Sequence, residues 1–122
     1  MYNNEREDDD HQYFGDEIRK KIKSTQQRMR EAAVREFIEG CYMAYGVLHV
    51  RGAEALAEGE PEAIQMAINR MMALFLHEEQ YERCAFIKSF VEKHIPDFEI
   101  QPDWKVIEDM EEVKGNANGN KS

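Results

Sequence analysis

From Asp16 onward, Ile18, Ile22, Thr25, Met29, Ala33, Phe37, Cys41, Ala44, Tyr45 and Leu48 recur at intervals of three and four residues. That is the spacing of one face of an α-helix. The pattern predicts a long amphipathic helix starting at Gly15 or Asp16, where Asp16 and Glu17 suit the positive end of the helix dipole. Gly40, Gly46 and Gly52 interrupt good helix formers, each at about 1 kcal/mol relative to alanine. The later two predict fraying or a bend, so the helix is expected to end between Gly46 and Gly52, with a short helical piece over 53–58 after it.

Gly59-Glu60-Pro61 is the clearest punctuation in the chain. Glycine suits the position after a helix and proline the first turn of the next. A second helix is predicted from Pro61 to near His77, built on Ile64, Ala67, Ile68, Met71 and Phe75 and flanked by Met72 and Leu74. His77-Glu78-Glu79-Gln80 breaks the pattern. Tyr81, Cys84, Ala85, Ile87, Val91 and Ile95, flanked by Phe86 and Phe90, then predict a third helix stopped by Pro96. So short a break folds the two helices back as an antiparallel hairpin. Phe98 and Ile100 alternate with polar residues as an extended segment too isolated to propose a sheet. Pro102-Asp103-Trp104 opens a short last helix with Asp103 as N-cap and Trp104, Ile107 and Met110 on one face.

The expected fold class is therefore all-α: a long amphipathic helix packed on an antiparallel helical hairpin, plus a short C-terminal helix and flexible acidic ends. The boundaries expected are a disordered acidic arm over 1–14, one helical domain over 15–113 and a disordered tail over 114–122. The polar ends bury too little to offset the entropy of ordering them.

Composition narrows the class further. The 122 residues suit one domain. At 42% hydrophobic and 34% charged, the chain is too apolar to be wholly disordered and too charged for a membrane protein. No run approaches the roughly 20 apolar residues of a spanning helix. The opening residues Met1 to Asp10 lack the basic start and apolar centre of a secretory signal, and a cytoplasmic protein is expected. Cys41 and Cys84 lie inside apolar helical stretches and read as reduced core thiols, with a disulfide or a metal role as the alternative.

The net charge is -9, unevenly spread. Residues 1–17 carry Glu5, Glu7, Asp8, Asp9, Asp10, Asp16 and Glu17 against Arg6 alone, a net of -6. Residues 18–30 carry Arg19, Lys20, Lys21, Lys23, Arg28 and Arg30 with no acid, a net of +6. That cationic face is a candidate for sequence-independent binding of nucleic-acid phosphates. The alternatives are an acidic protein partner, or a solvated face holding screened ion pairs of about 0.2–1 kcal/mol. The acidic arm could itself cover the cations. An acidic surface over Glu5 to Asp10 and Asp103 to Glu112 could also mimic DNA and occupy a nucleic-acid groove on another protein.

No reaction is dictated by any motif. His11, His49, His77 and His94 are scattered, with no HExxH, CxxC or ExxH spacing. There is no G-x-S-x-G, P-loop or G-x-G-x-x-G, and nothing selects a catalytic pair among 25 acids. No enzyme activity, cofactor, metal or small-molecule substrate is expected.

Met72, followed nine residues on by Tyr81-Glu82-Arg83-Cys84-Ala85-Phe86-Ile87-Lys88, resembles the UVR motif. That motif is the helical hairpin of excision-repair nuclease subunits B and C and of activators of bacterial protein arginine kinase. The likeness covers residues 72–89. Cys84 stands at the motif's first alanine, Lys88 at its basic position and Ser89 where the family has an acid. The resemblance implies docking between proteins through hairpin pairing; convergent helix packing is the other explanation of the same residues.

Met71, Met72, Leu74, Phe75 and Leu76 span nearly the whole circumference of their helix. A helix apolar all round needs burial on every side, which three or four short helices are not expected to supply. Met71, Met72, Phe75, Leu76, Tyr81, Phe86 and Phe90 are thus the candidate protein interface. The expected function is that of a non-enzymatic, small intracellular interaction or regulatory protein, self-associating or docking on a protein partner through this seam.

Overall fold

The structure, a computed structural model, describes the backbone of residues 4–119 and the side chains of residues 15–115. It is all-α, with no strand among the described residues. Five helices follow in order: α1 (Asn4–Arg51), α2 (Ala53–Glu58), α3 (Pro61–His77), α4 (Tyr81–His94) and α5 (Trp104–Gly119). The side chains of the two ends expected to be disordered lie largely outside the described residues.

α1 starts at Asn4, ahead of the expected Gly15 or Asp16. Once a helix is nucleated each further residue adds a hydrogen bond, and acids near its N-terminus complement the dipole. α5 likewise runs past the expected boundary at 113. Gly40 and Gly46 leave α1 unbroken. Gly52 ends it at a φ of 56°, a backbone that glycine alone takes without strain. α2 is then clamped to the end of α1 by an Arg51–Glu58 ion pair. That pair holds the Glu58 carboxyl below its usual range, the Arg51 hydrogen bond being the main cause.

α3 closes with two backbone bonds that together form a Schellman cap. The Gln80 amide donates to the Phe75 carbonyl at 2.8 Å and the Glu79 amide to the Leu76 carbonyl at 3.1 Å. The left-handed residue of this cap is Glu79, at a φ of 59°, where glycine is usual. At α5 the Asp103 carboxylate accepts from the Val106 amide at 3.4 Å, the N-cap expected for that residue.

α3 is the central element: α1, α4 and α5 all pack against it, and α1 also packs against α2 and α5. Ile68, Met71, Met72, Leu74, Phe75 and Ile87 are essentially inaccessible to water. The remaining side of α3 is covered by the non-helical strap between α4 and α5. The Asp103 amide donates to the Asn69 carbonyl at 3.0 Å, and the Gln101 amide donates to Asn69 Oδ1 at 2.9 Å. Phe98 and Ile100 of this strap are packed against the core.

Candidate functional site

The strap overturns the inference that the apolar ring of α3 needs a second molecule. Met71 and Met72 are each 1% exposed, Leu74 and Phe75 are at 0%, and Phe90 is at 6% within a single chain. Leu76 and Phe86 are partly buried against the same core. Of the seven residues expected at an interface, Tyr81 alone is exposed, at 61%. The expectation failed because it counted helices and left out the covering power of an extended segment.

The apolar surface that remains open lies elsewhere, mainly on α1. Only the C-terminal half of α1 joins the bundle, from about Val34. Its last tie further out is the Gln27 side-chain amide, which donates to the Val113 carbonyl of α5 at 3.2 Å. Ile18, Ile22 and Met29 continue the same stripe on the N-terminal side of Val34, 41%, 50% and 66% exposed. All six cations of residues 19–30 are exposed around them. Arg19 meets Asp16 at 3.4 Å and Arg28 donates to the Thr25 hydroxyl at 3.3 Å. No other ion pair is made by these cations among the described residues.

A second open apolar feature runs along the bundle between α1 and α3. It comprises one groove of about 310 Å³, lined by residues including Met43, Val47, Leu56 and Ile64, and a neighbour of about 250 Å³ lined by Glu36, Phe37, Cys41 and Arg70. The two share Gly40, Ala44, Ala67 and Met71. The shared walls carry small side chains, so neither helix fills the space between them. In the sequence pattern Gly40 and Ala67 are only helix positions and Met43, Val47 and Arg70 carry no mark, so none of the five stands out as a site residue. The available signal was Gly40, Ala44 and Ala67 standing on faces that elsewhere carry large residues.

At the far edge of the core, the Arg83 guanidinium lies over the rings of Tyr42 and Tyr45, 4.8 and 5.0 Å from their centroids. His49 stacks on Phe86 at 4.0 Å, and its Nε2 is 3.1 Å from the Tyr45 hydroxyl. These contacts join α1 to the hairpin. His77 lies 2.8 Å from a Glu111 carboxylate oxygen. Among the described residues, no group of three His, Cys, Asp or Glu side chains is placed to share a metal ion. No helix among them is long and apolar enough to cross a membrane.

Cys41 and Cys84 are buried and free. Burial pushes the Cys41 thiol up from 9.0 to about 11, against the opposing pull of Arg70. Burial likewise raises Cys84. Thiolates are the reactive form, so neither cysteine is expected to be alkylated at neutral pH in the folded protein, while both react once it is unfolded. Mass spectrometry after a brief iodoacetamide pulse checks this; rapid native labelling would contradict the burial. Between pH 9.0 and about 11 the unfolded chain releases the Cys41 proton while the folded one keeps it, so this group's contribution to stability is lost across that window.

No family model matches the chain, and neither a curated protein nor a solved structure matches it.

Proposed function

We propose that this is a non-enzymatic interaction protein whose docking element is the projecting part of α1, and that its first partner is a second copy of the chain. One observation carries the reading: the apolar stripe that builds the core in the C-terminal half of α1 continues through Ile18, Ile22 and Met29, which stay 41%, 50% and 66% exposed among the described residues. A row of this spacing is what a helix offers to another helix.

Charge favours the second copy. The helix carries a net of -6 over residues 4–17 and +6 over 18–30. Two such helices laid antiparallel, with residues 18–30 of one copy beside 5–17 of the other, bring each acidic block against the partner's cationic one, whereas a parallel pair opposes like charges. In that antiparallel register the row Ile18, Ile22 and Met29 meets the partner's segment around Tyr13 and Phe14 rather than its own counterpart. The hairpin resemblance points to docking as well, and Tyr81, Glu82, Ala85, Lys88 and Ser89 are among the hairpin residues open to a further protein.

Sedimentation equilibrium tests the self-association. The chain is expected to form a dimer that weakens with salt. Ile22→Glu is expected to give a monomer whose folding stability stays within about 0.5 kcal/mol of the parent, as for ordinary surface changes. A parent chain that is still monomeric on the order of 100 µM would sink the reading.

A second reading rests on the exposure of Arg19, Lys20, Lys21, Lys23, Arg28 and Arg30 together. Such a face would bind nucleic-acid phosphates with an affinity that falls steeply as salt rises. A gel-shift series across salt with the parent chain and with Lys23→Glu/Arg28→Glu separates the two readings, because only the second predicts a shifted band.

A further inference from the structure

The groove between α1 and α3 has a composition that selects a ligand. Along its length the walls are apolar, from Val47, Leu48, Leu56 and Ile64 at the α2 end through Ala44, Ala67 and Met71 to Phe37. From Phe37 to Val47 the α1 axis rises about 15 Å, the length of an extended medium-chain alkyl tail. The larger groove falls in the volume range of small-molecule sites.

The other end differs in kind. There Arg70 lines the groove beside Cys41 and Glu36. Its Nε is shielded from solvent and has no hydrogen-bond partner among the described residues, while the side chain as a whole is 44% exposed. The nearest carboxylate, Asp103, stands 3.8 Å from that nitrogen, within ion-pair range yet too far for a hydrogen bond. Asp103 caps α5 through Oδ1, and its other oxygen, Oδ2, is the one that faces Arg70. A guanidinium has five donors in a fork matched to carboxylate geometry, so Arg70 keeps capacity for an incoming anion.

From this juxtaposition we infer that the α1–α3 groove binds a single-chain amphiphile with an anionic carboxylate head, a fatty acid of medium length. The tail lies along Ala44, Ala67 and Met71 toward Leu56 of α2, and the head pairs with Arg70. Glu36 at the same end disfavours a second negative charge, which suits a monocarboxylate over a diacid or a phosphate dianion. The inference is independent of the pairing of α1, which uses residues 18–29.

Gly40 supplies a variant that blocks the groove without harming the fold. A Cβ at Gly40 would meet nothing within 4 Å, and replacing a helix-interior glycine by leucine improves helix propensity. Gly46 is equally unobstructed and is not among the groove residues, so Gly46→Leu is the matched control.

Calorimetric titration with laurate, dodecanol and dodecyltrimethylammonium provides the test. Laurate is expected to bind one to one and more tightly than dodecanol, with the cationic amphiphile weakest. Gly40→Leu is expected to lose binding by tenfold or more while its thermal midpoint does not fall, and Gly46→Leu to bind like the parent. Arg70→Gln is expected to lose about tenfold for laurate and nothing for dodecanol. No saturable binding of laurate up to about 1 mM overturns the inference. So does binding that Gly40→Leu leaves intact, or equal binding of all three amphiphiles. A dimer abolished by Gly40→Leu, without laurate binding, overturns it in favour of a helix from a second copy.

Discussion

Phe75→Ala is expected to lower the unfolding free energy by about 3–5 kcal/mol, a large part of the 5–15 kcal/mol typical of a whole domain. The ring is at 0% exposure and stands edge-on to Tyr42 and Tyr45, each 5.4 Å away. The Arg83 guanidinium rests over all three rings, 5.6 Å from Phe75. Truncation therefore leaves a cavity and also removes one wall from a half-buried cation. Neighbours on α1, α3 and α4 cannot all shift inward, because each also holds other core contacts. Urea denaturation reads the effect as a lower midpoint with an unchanged slope. A loss below about 1 kcal/mol, the centre of the range for ordinary substitutions, would show that Phe75 is not the joint between α1 and the hairpin.

Met72→Glu is expected to abolish cooperative folding at neutral pH. Met72 is 1% exposed, and no polar or charged side chain is buried among the described residues. A carboxylate placed there has no partner and must either drag water into the core or take up a proton. Shifts of 3–5 units for such groups correspond to roughly 4 kcal/mol or more. The introduced group's pKa is raised in the folded state, so any stability that survives is greatest at low pH and disappears as the carboxyl ionises. Circular dichroism melts at pH 4 and pH 7 supply the check. A well-folded, monomeric Met72→Glu protein would return Met72 to an interface. Ile22→Glu is the informative contrast, since the same charge on the projecting part of α1 is expected to change association and leave folding alone.

The inner helix boundaries were legible because they are set by local chemistry, whereas the start of α1 and the end of α5 were not. Gly59-Glu60-Pro61 and Pro96 punctuate the chain in the structure where glycine and proline predict it, and Asp103 caps α5 as its position implies. The end of α1 at Arg51 follows from Gly52 in the same way. Glu79 escaped notice because a left-handed cap made by a glutamate carries no glycine to announce it. The apolar ring of α3 was visible, yet its destination was not. Phe98 and Ile100 read as an isolated extended segment, and only their placement across Asn69 makes them the fourth wall around α3.

The candidate sites divide along the same line. The cationic block 19–30 and the apolar row Ile18, Ile22 and Met29 are properties of one helix, and spacing alone revealed both. The groove is a property of two helices. Gly40 and Ala44 are twenty to thirty residues from Ala67 and Arg70, and nothing in either segment announces that they will stand side by side.

By itself the sequence determined an all-helical chain, its punctuation and the faces of its helices, because periodicity, glycine, proline and capping residues act within a few residues of backbone. The tertiary structure alone decided which apolar faces were used up inside the molecule and which stayed open. Burial depends on what arrives from distant parts of the chain, and here a short strap and a few small side chains made the difference.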